Sequence, residues 1–181
     1  MKSIIILTLV LFLSACATSV NVDYQPGTDF SSFKSFRIEK SPVAVVKDPR
    51  INSPFIQKRI IGALHDQLHL KALVAKKDKP DLVVKYHLAI KQELESDDSG
   101  VAFGIGSSSS HSAFGIMFGS GTGVASVDNL MITIDLVQSG TKKLLWRGSL
   151  DSRLAPGITP ESSNRLINSM VKEILEKFPP K

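Results

Sequence analysis

The sequence predicts an α+β fold in a single domain, a mostly antiparallel sheet with two main helices packed on one face. Three observations carry that expectation. Residues 82–91 and 130–136 alternate apolar and polar side chains with the period of two that marks a half-buried strand. Two other segments each open on a hydroxyl residue followed by proline, Ser53-Pro54 and Thr159-Pro160, and carry apolar residues at helical spacing. The order strand, helix, strand, glycine-rich segment, strand, strand, helix suits one sheet covered by helices on one side.

The elements follow in order. Pro26-Gly27 marks a turn, and Phe33 to Glu39 reads as a first strand with Phe36 and Ile38 on one face. A loop with Pro42, Pro49 and Pro54 comes next. Ser53 caps a helix expected to run to about Leu73, with Ile56, Ile60, Ala63, Leu64 and Leu68 on its buried side. After Pro80-Asp81, the side chains of Leu82, Val84, Tyr86, Leu88 and Ile90 form one apolar strand face. Leu130, Ile132, Ile134 and Leu136 form another. Ser139-Gly140-Thr141 predicts a three-residue hairpin turn. It would place Ile134 opposite Trp146 and put Leu144, Trp146, Gly148 and Leu150 on one face. Thr159 and Pro160 open a last helix to about Phe178, buried through Leu166, Ile167, Met170, Val171, Ile174 and Phe178. The first strand-helix-strand unit suits a parallel pair, and the remaining pairs are expected to be antiparallel.

The start of the chain carries a different signal. Lys2 precedes an apolar run from Ile4 to Leu13, too short to span a bilayer, which needs about 20 residues. Leu13-Ser14-Ala15-Cys16 follows directly, and Cys16 is the only cysteine. A basic start, a short apolar segment and small residues before a cut site describe a secretory signal. This version resembles the lipobox of a bacterial lipoprotein precursor, in which the cysteine thiol takes a diacylglycerol and cleavage falls between Ala15 and Cys16. Residues 1–15 are then a signal peptide, 16–25 a lipidated N-terminus and tether, and 26–181 the domain. Two or more acyl chains anchor a protein stably without a transmembrane helix. Ala17 and Thr18 follow the cysteine. The resemblance makes an aspartate there the inner-membrane retention signal of enteric-type sorting, so the expected site is the outer membrane, facing the periplasm. With its only cysteine lipidated the domain holds itself by packing, without an intramolecular disulfide, in a compartment that permits them. The net charge of +5 is spread along the chain with no dense basic cluster. That excludes nucleic acid as the expected partner and makes the lysines a solvated surface.

Several stretches together resemble a known family. They are Asp29-Phe30-Ser31-Ser32-Phe33-Lys34-Ser35-Phe36, then Pro80-Asp81-Leu82-Val83-Val84-Lys85-Tyr86-His87. The hairpin with Ile134-Asp135-Leu136-Val137 and Lys142-Lys143-Leu144-Leu145-Trp146-Arg147-Gly148, and the ending Phe178-Pro179-Pro180, complete the set. In order and spacing these are similar to bacterial lipoproteins carrying the domain of unknown function 4136. The resemblance implies a lipidated α+β envelope domain with no established activity and no known catalytic residues. Physically, Trp146 suits a core position over the helices, and Asp135 and Arg147 suit a diagonal contact on the other face.

Catalytic and metal motifs are not visible. His65 and His69 stand four apart on the first helix, a metal-compatible spacing, but on the side away from the apolar stripe. His87 and His111 are far off in sequence, and zinc needs three or four convergent ligands. No G-x-S-x-G elbow, H-E-x-x-H or phosphate loop occurs. Asp97 and Asp98, adjacent on a strand end, would point to opposite faces. No catalytic residue, metal ligand or cofactor is expected.

Residues 99–126 exceed what a fold needs. They hold Ser107-Ser108-Ser109-Ser110, several glycines and the apolar residues Phe103, Ile105, Phe114, Ile116, Met117 and Phe118. Exposed apolar clusters mark contact sites. Two readings are open: a loop that inserts into a partner protein or membrane surface, or extra strands folded back on the sheet. The leading functional expectation is a non-enzymatic lipid-anchored envelope protein that binds an envelope partner through this segment. The alternatives are a carrier of a lipid or small apolar ligand, and a hydrolase with an unrecognised site. Oligomeric state is not legible.

Overall fold

The computed structural model describes residues 20–39, 48, 50–96 and 124–180. They form one six-stranded sheet in the order β1-β6-β5-β4-β2-β3. The strands are β1 (Asn21–Tyr24), β2 (Ser35–Glu39), β3 (Val74–Ala75), β4 (Leu82–Ser96), β5 (Val124–Gln138) and β6 (Leu144–Arg153). Two helices, α1 (Pro54–Leu70) and α2 (Pro160–Glu176), cover one face. The fold is α+β as expected, and the sheet is mixed. β4, β5, β6 and β1 pair antiparallel, while β2 runs parallel to both β4 and β3.

Both helices begin where the sequence places them. The Ser53 hydroxyl accepts the Phe55 N–H with Pro54 in the first turn. Thr159 and Ser162 form a reciprocal capping box ahead of α2. α1 ends at Leu70, short of the expected Leu73, because Ala72 takes a left-handed conformation (φ 59°) and the Leu73 N–H turns back to the Leu68 carbonyl.

The even-numbered residues of β4 from Leu82 to Ile90, of β5 from Leu130 to Leu136 and of β6 from Trp146 to Leu150 face the helices. Leu82, Val84, Tyr86, Ile132, Ile134, Leu136 and Trp146 are all but inaccessible, packed with Ile60, Leu64, Ile167, Met170 and Ile174. Leu175 joins this core beyond the residues expected of α2, while Leu166 is only partly buried.

The β5–β6 hairpin departs from the expected register. Leu136 opposes Trp146 and Ile134 opposes Gly148. The Gln138 N–H donates to the Lys143 carbonyl and the Lys142 N–H to the Gln138 carbonyl, with Lys142 left-handed (φ 57°). That loop sets Val137 against Leu144, an odd residue against an even one. A bulge restores the parity: Leu145 is the extra residue between the pairs Val137–Leu144 and Leu136–Trp146. Leu145 is consequently buried, and Leu144 leaves the face predicted for it and is 43% exposed.

A second correction concerns the tether. Asn21–Tyr24 are not part of a linker. They form edge strand β1 against β6, with Asn21 opposite Ser149 and Tyr24 opposite Trp146. The cause is the alternation Val20-Asn21-Val22-Asp23-Tyr24, which suits a strand. Val124–Ser126, expected within the glycine-rich segment, likewise belong to β5.

Asp81 explains why its stretch sits where two strands begin. Its carboxylate accepts the N–H groups of Lys34 (3.0 Å) and Ser35 (2.9 Å) and the Ser35 hydroxyl (2.8 Å). These bonds, led by the Lys34 N–H, hold its pKa below the usual carboxylate value. A depressed folded-state pKa contributes stability that is present above the unfolded value and is lost as pH falls through the folded one. Asp81→Asn is expected to cost about 2 kcal/mol at neutral pH. The gap from wild type should close below about pH 4, near the ordinary value of 3.8. Urea denaturation at neutral and acid pH checks this; a gap independent of pH would refute it.

Candidate functional site

The face of the sheet away from the helices is polar. Arg37 and Glu39 of β2, Lys85 and His87 of β4, Asp135 of β5 and Arg147 of β6 line a groove of about 690 Å³ with Lys142 of the hairpin. Asp135 is buried although it lies on this face. Its directly opposed neighbour Arg147 donates to it through Nε and Nη2, both at 2.7 Å, and His87 Nε2 lies 3.5 Å away. The carboxylate pushes the guanidinium pKa further up. The pair meets straight across the hairpin instead of diagonally, because the register lies one pair beyond the expected one. Glu39 lies 3.7 Å from Arg37 and 3.8 Å from Lys85, and Lys91 lies 3.9 Å from Asp151. The charges of this face largely satisfy one another, which is what a solvated sheet surface requires.

Other charged groups are structural too. Asp29 accepts from the Ser31 N–H (3.0 Å) and hydroxyl (2.6 Å) and caps the short helical turn Phe30–Ser32. Arg50 bridges Asp48 and, at 2.7 Å, Asp128 of β5, tying the segment before α1 to the sheet. His65 packs its ring on Phe36, centroids 5.3 Å apart, while His69 is exposed. Among the described residues no three metal-ligating side chains converge. No helix among them is long and apolar enough to cross a membrane.

The sites predicted from sequence lie outside the described residues: Ala15 and Cys16, and Phe103, Ile105, Phe114, Ile116, Met117 and Phe118. The structure does fix where the second group is attached. β4 and β5 pair to their ends, Ser96 against Val124. β6 pairs with β5 only from Asn129, and β2 with β4 only to Lys85. Beyond those points β4 and β5 continue as a two-stranded arm, and residues 97–123 join its tip. Sequence reasoning missed one surface. Val22 and Tyr24 of β1 and the bulge-displaced Leu144 are exposed together at the sheet edge.

No curated protein matches this sequence. Among solved structures, a PDZ domain protein from Parabacteroides distasonis is similar in fold (TM-score 0.54, 14% identity) over 90% of this chain, which spans only 35% of that protein. Weaker likenesses are to the PelC dodecamer from Paraburkholderia phytofirmans (TM-score 0.46, 10% identity, 87% and 94% of the two chains) and a minor lipoprotein from Acinetobacter baumannii (TM-score 0.43, 10% identity, 80% and 91%). At the level of sequence, one family model accounts for residues 20–180, from β1 past the end of α2. With nearly the whole described domain matched, the chain belongs to the family of the domain of unknown function DUF4136.

Proposed function

We propose that the protein is a lipid-anchored envelope protein of the outer membrane, facing the periplasm, that acts as a non-enzymatic binding module. The observation that carries this reading is Leu13-Ser14-Ala15-Cys16 placed directly after a short apolar run with a basic start. Thiol acylation demands a cysteine, and this chain's only one stands there. The domain supports the rest. The charged residues of the open face are engaged with one another and no nucleophile motif accompanies them. The space between sheet and helices is filled by Phe36, Tyr86, Trp146 and their neighbours, which counts against carriage of an apolar ligand there. The apolar, glycine-rich stretch follows Ser96 and precedes Val124, the paired ends of the β4–β5 arm, and apolar clusters of that kind mark contact sites when exposed.

The test is metabolic labelling with an alkyne fatty acid, then crosslinking in intact cells. Wild type should carry the label and sediment with outer membranes, and Cys16→Ser should lose both. The triple change Phe114→Ser, Ile116→Ser and Phe118→Ser should abolish the crosslinked partner while leaving melting unchanged. Label retained in Cys16→Ser would refute the anchor, and unchanged capture would refute the contact role.

A further inference from the structure

Six large apolar side chains are exposed among the described residues, and three of them, Val22, Tyr24 and Leu144, share one edge of the sheet. Val22 and Tyr24 stand two apart on β1, on the face of their partners Gly148 and Trp146, while the bulge turns Leu144 to the other face; Tyr24 and Leu144 border one small cleft with Asp23 and Gln25. Lys142 and Lys143, both exposed, directly precede Leu144. The nearby acid, Asp23, lines the same cleft and opposes Arg147, whose positive charge offsets it. A phenol and a leucine on the two sides of one sheet edge, with two lysines beside them, match a bilayer interface met edge-on. There tyrosine seats its ring at headgroup level, lysine stems lie along apolar surface, and ammonium groups meet anionic headgroups.

Chain length brings this rim to a bilayer. Five residue steps separate Cys16 from Asn21, the first residue of β1. Whatever their conformation, they reach at most ~18 Å. We propose that the β1 edge and the β5–β6 hairpin rest on the anionic bilayer that holds the anchor, with Tyr24 and Leu144 in the headgroup layer and Lys142 and Lys143 on its phosphates. This rests on the lipoprotein reading. It adds that the anchored domain has a fixed membrane-facing side.

The anchored protein itself provides the test. Its only native thiol is the acylated one, so Leu144→Cys offers a single site for a nitroxide, as does Leu70→Cys at the end of α1, 80% exposed. Each labelled protein is reconstituted through its anchor into vesicles of phosphatidylethanolamine and phosphatidylglycerol. At position 144, dissolved oxygen should relax the label more than an aqueous nickel chelate does, and at position 70 the order should reverse. Changing Lys142 and Lys143 together to Gln removes about 1 kcal/mol per lysine, roughly a 30-fold weaker contact, and should return the label at 144 to water. A label at 144 as aqueous as that at 70, or shielded from both reagents as a protein contact would shield it, overturns the proposal. Intact mass and vesicle flotation are read on the same samples. Protein without acyl chains overturns the anchor reading and this proposal together, whereas acylated, floating protein with an aqueous position 144 overturns this proposal alone.

Discussion

Gly148→Ala should destabilise the domain by about 3 kcal/mol, near the upper end for forcing one carbon into a packed core. Gly148 lies on the helix-facing side of β6, two residues after Trp146, and the indole folds back over it. A Cβ at 148 would stand 2.9 Å from Trp146 Cζ2 and 2.7 Å from Ile174 Cγ2. Real side chains do not tolerate such distances, so the indole or α2 must move. Neither moves freely, since Trp146 is inaccessible and packs edge-on against Phe178 at 5.5 Å. In a domain of this size the melting temperature should fall by roughly 10 °C. A second background isolates the cause. Trp146→Phe removes the outer indole ring, and it sacrifices no hydrogen bond because Nε1 has no partner among the described residues. In that background Gly148→Ala should cost about half as much or less, a coupling that a double-mutant cycle reads directly. Equal costs in both backgrounds would show that the indole is not the obstacle.

Arg147→Met should cost about 2–3 kcal/mol, somewhat below the usual penalty for breaking a buried pair because the guanidinium is half exposed. The loss comes from what remains: Asp135, its side chain 7% accessible, loses two bonds of 2.7 Å and keeps His87 Nε2 at 3.5 Å. Adding Asp135→Leu should recover most of the stability, because an apolar pair replaces the stranded charge. Urea denaturation of the two single variants and the double variant measures this. If Arg147→Met costs less than about 0.5 kcal/mol, the pair is an ordinary surface contact.

These two sites also show what the sequence made legible. Period-two alternation identified the buried faces of β4 and β5, and capping residues located the start of both helices, because each signal is local. Trp146, Gly148 and Leu150 were placed on the buried face of β6 for the same reason. Register was not legible. The choice between a three-residue loop and a four-residue loop followed by a bulge turns on the left-handed Lys142 and on where Leu145 finds burial, and both depend on the rest of the fold. β1 escaped notice because its alternation spans only four residues, too short a run to mark a strand by itself. Its identity comes from its hydrogen bonds to β6. The exposure of Leu144 was likewise invisible, since only the bulge turns it outward.

The pairing of β1 with β6 also orders events in time. Asn21 is among the first residues of the domain to be made, and its partner Ser149 among the last. A strand that waits for a partner so distant in sequence joins late, since chain closure over that span precedes any return from the contact. Until β6 is in place, Asn21–Tyr24 have no strand to pair with. Completion of the sheet then fixes Asn21–Tyr24 at its edge, where β1 borders β6 alone.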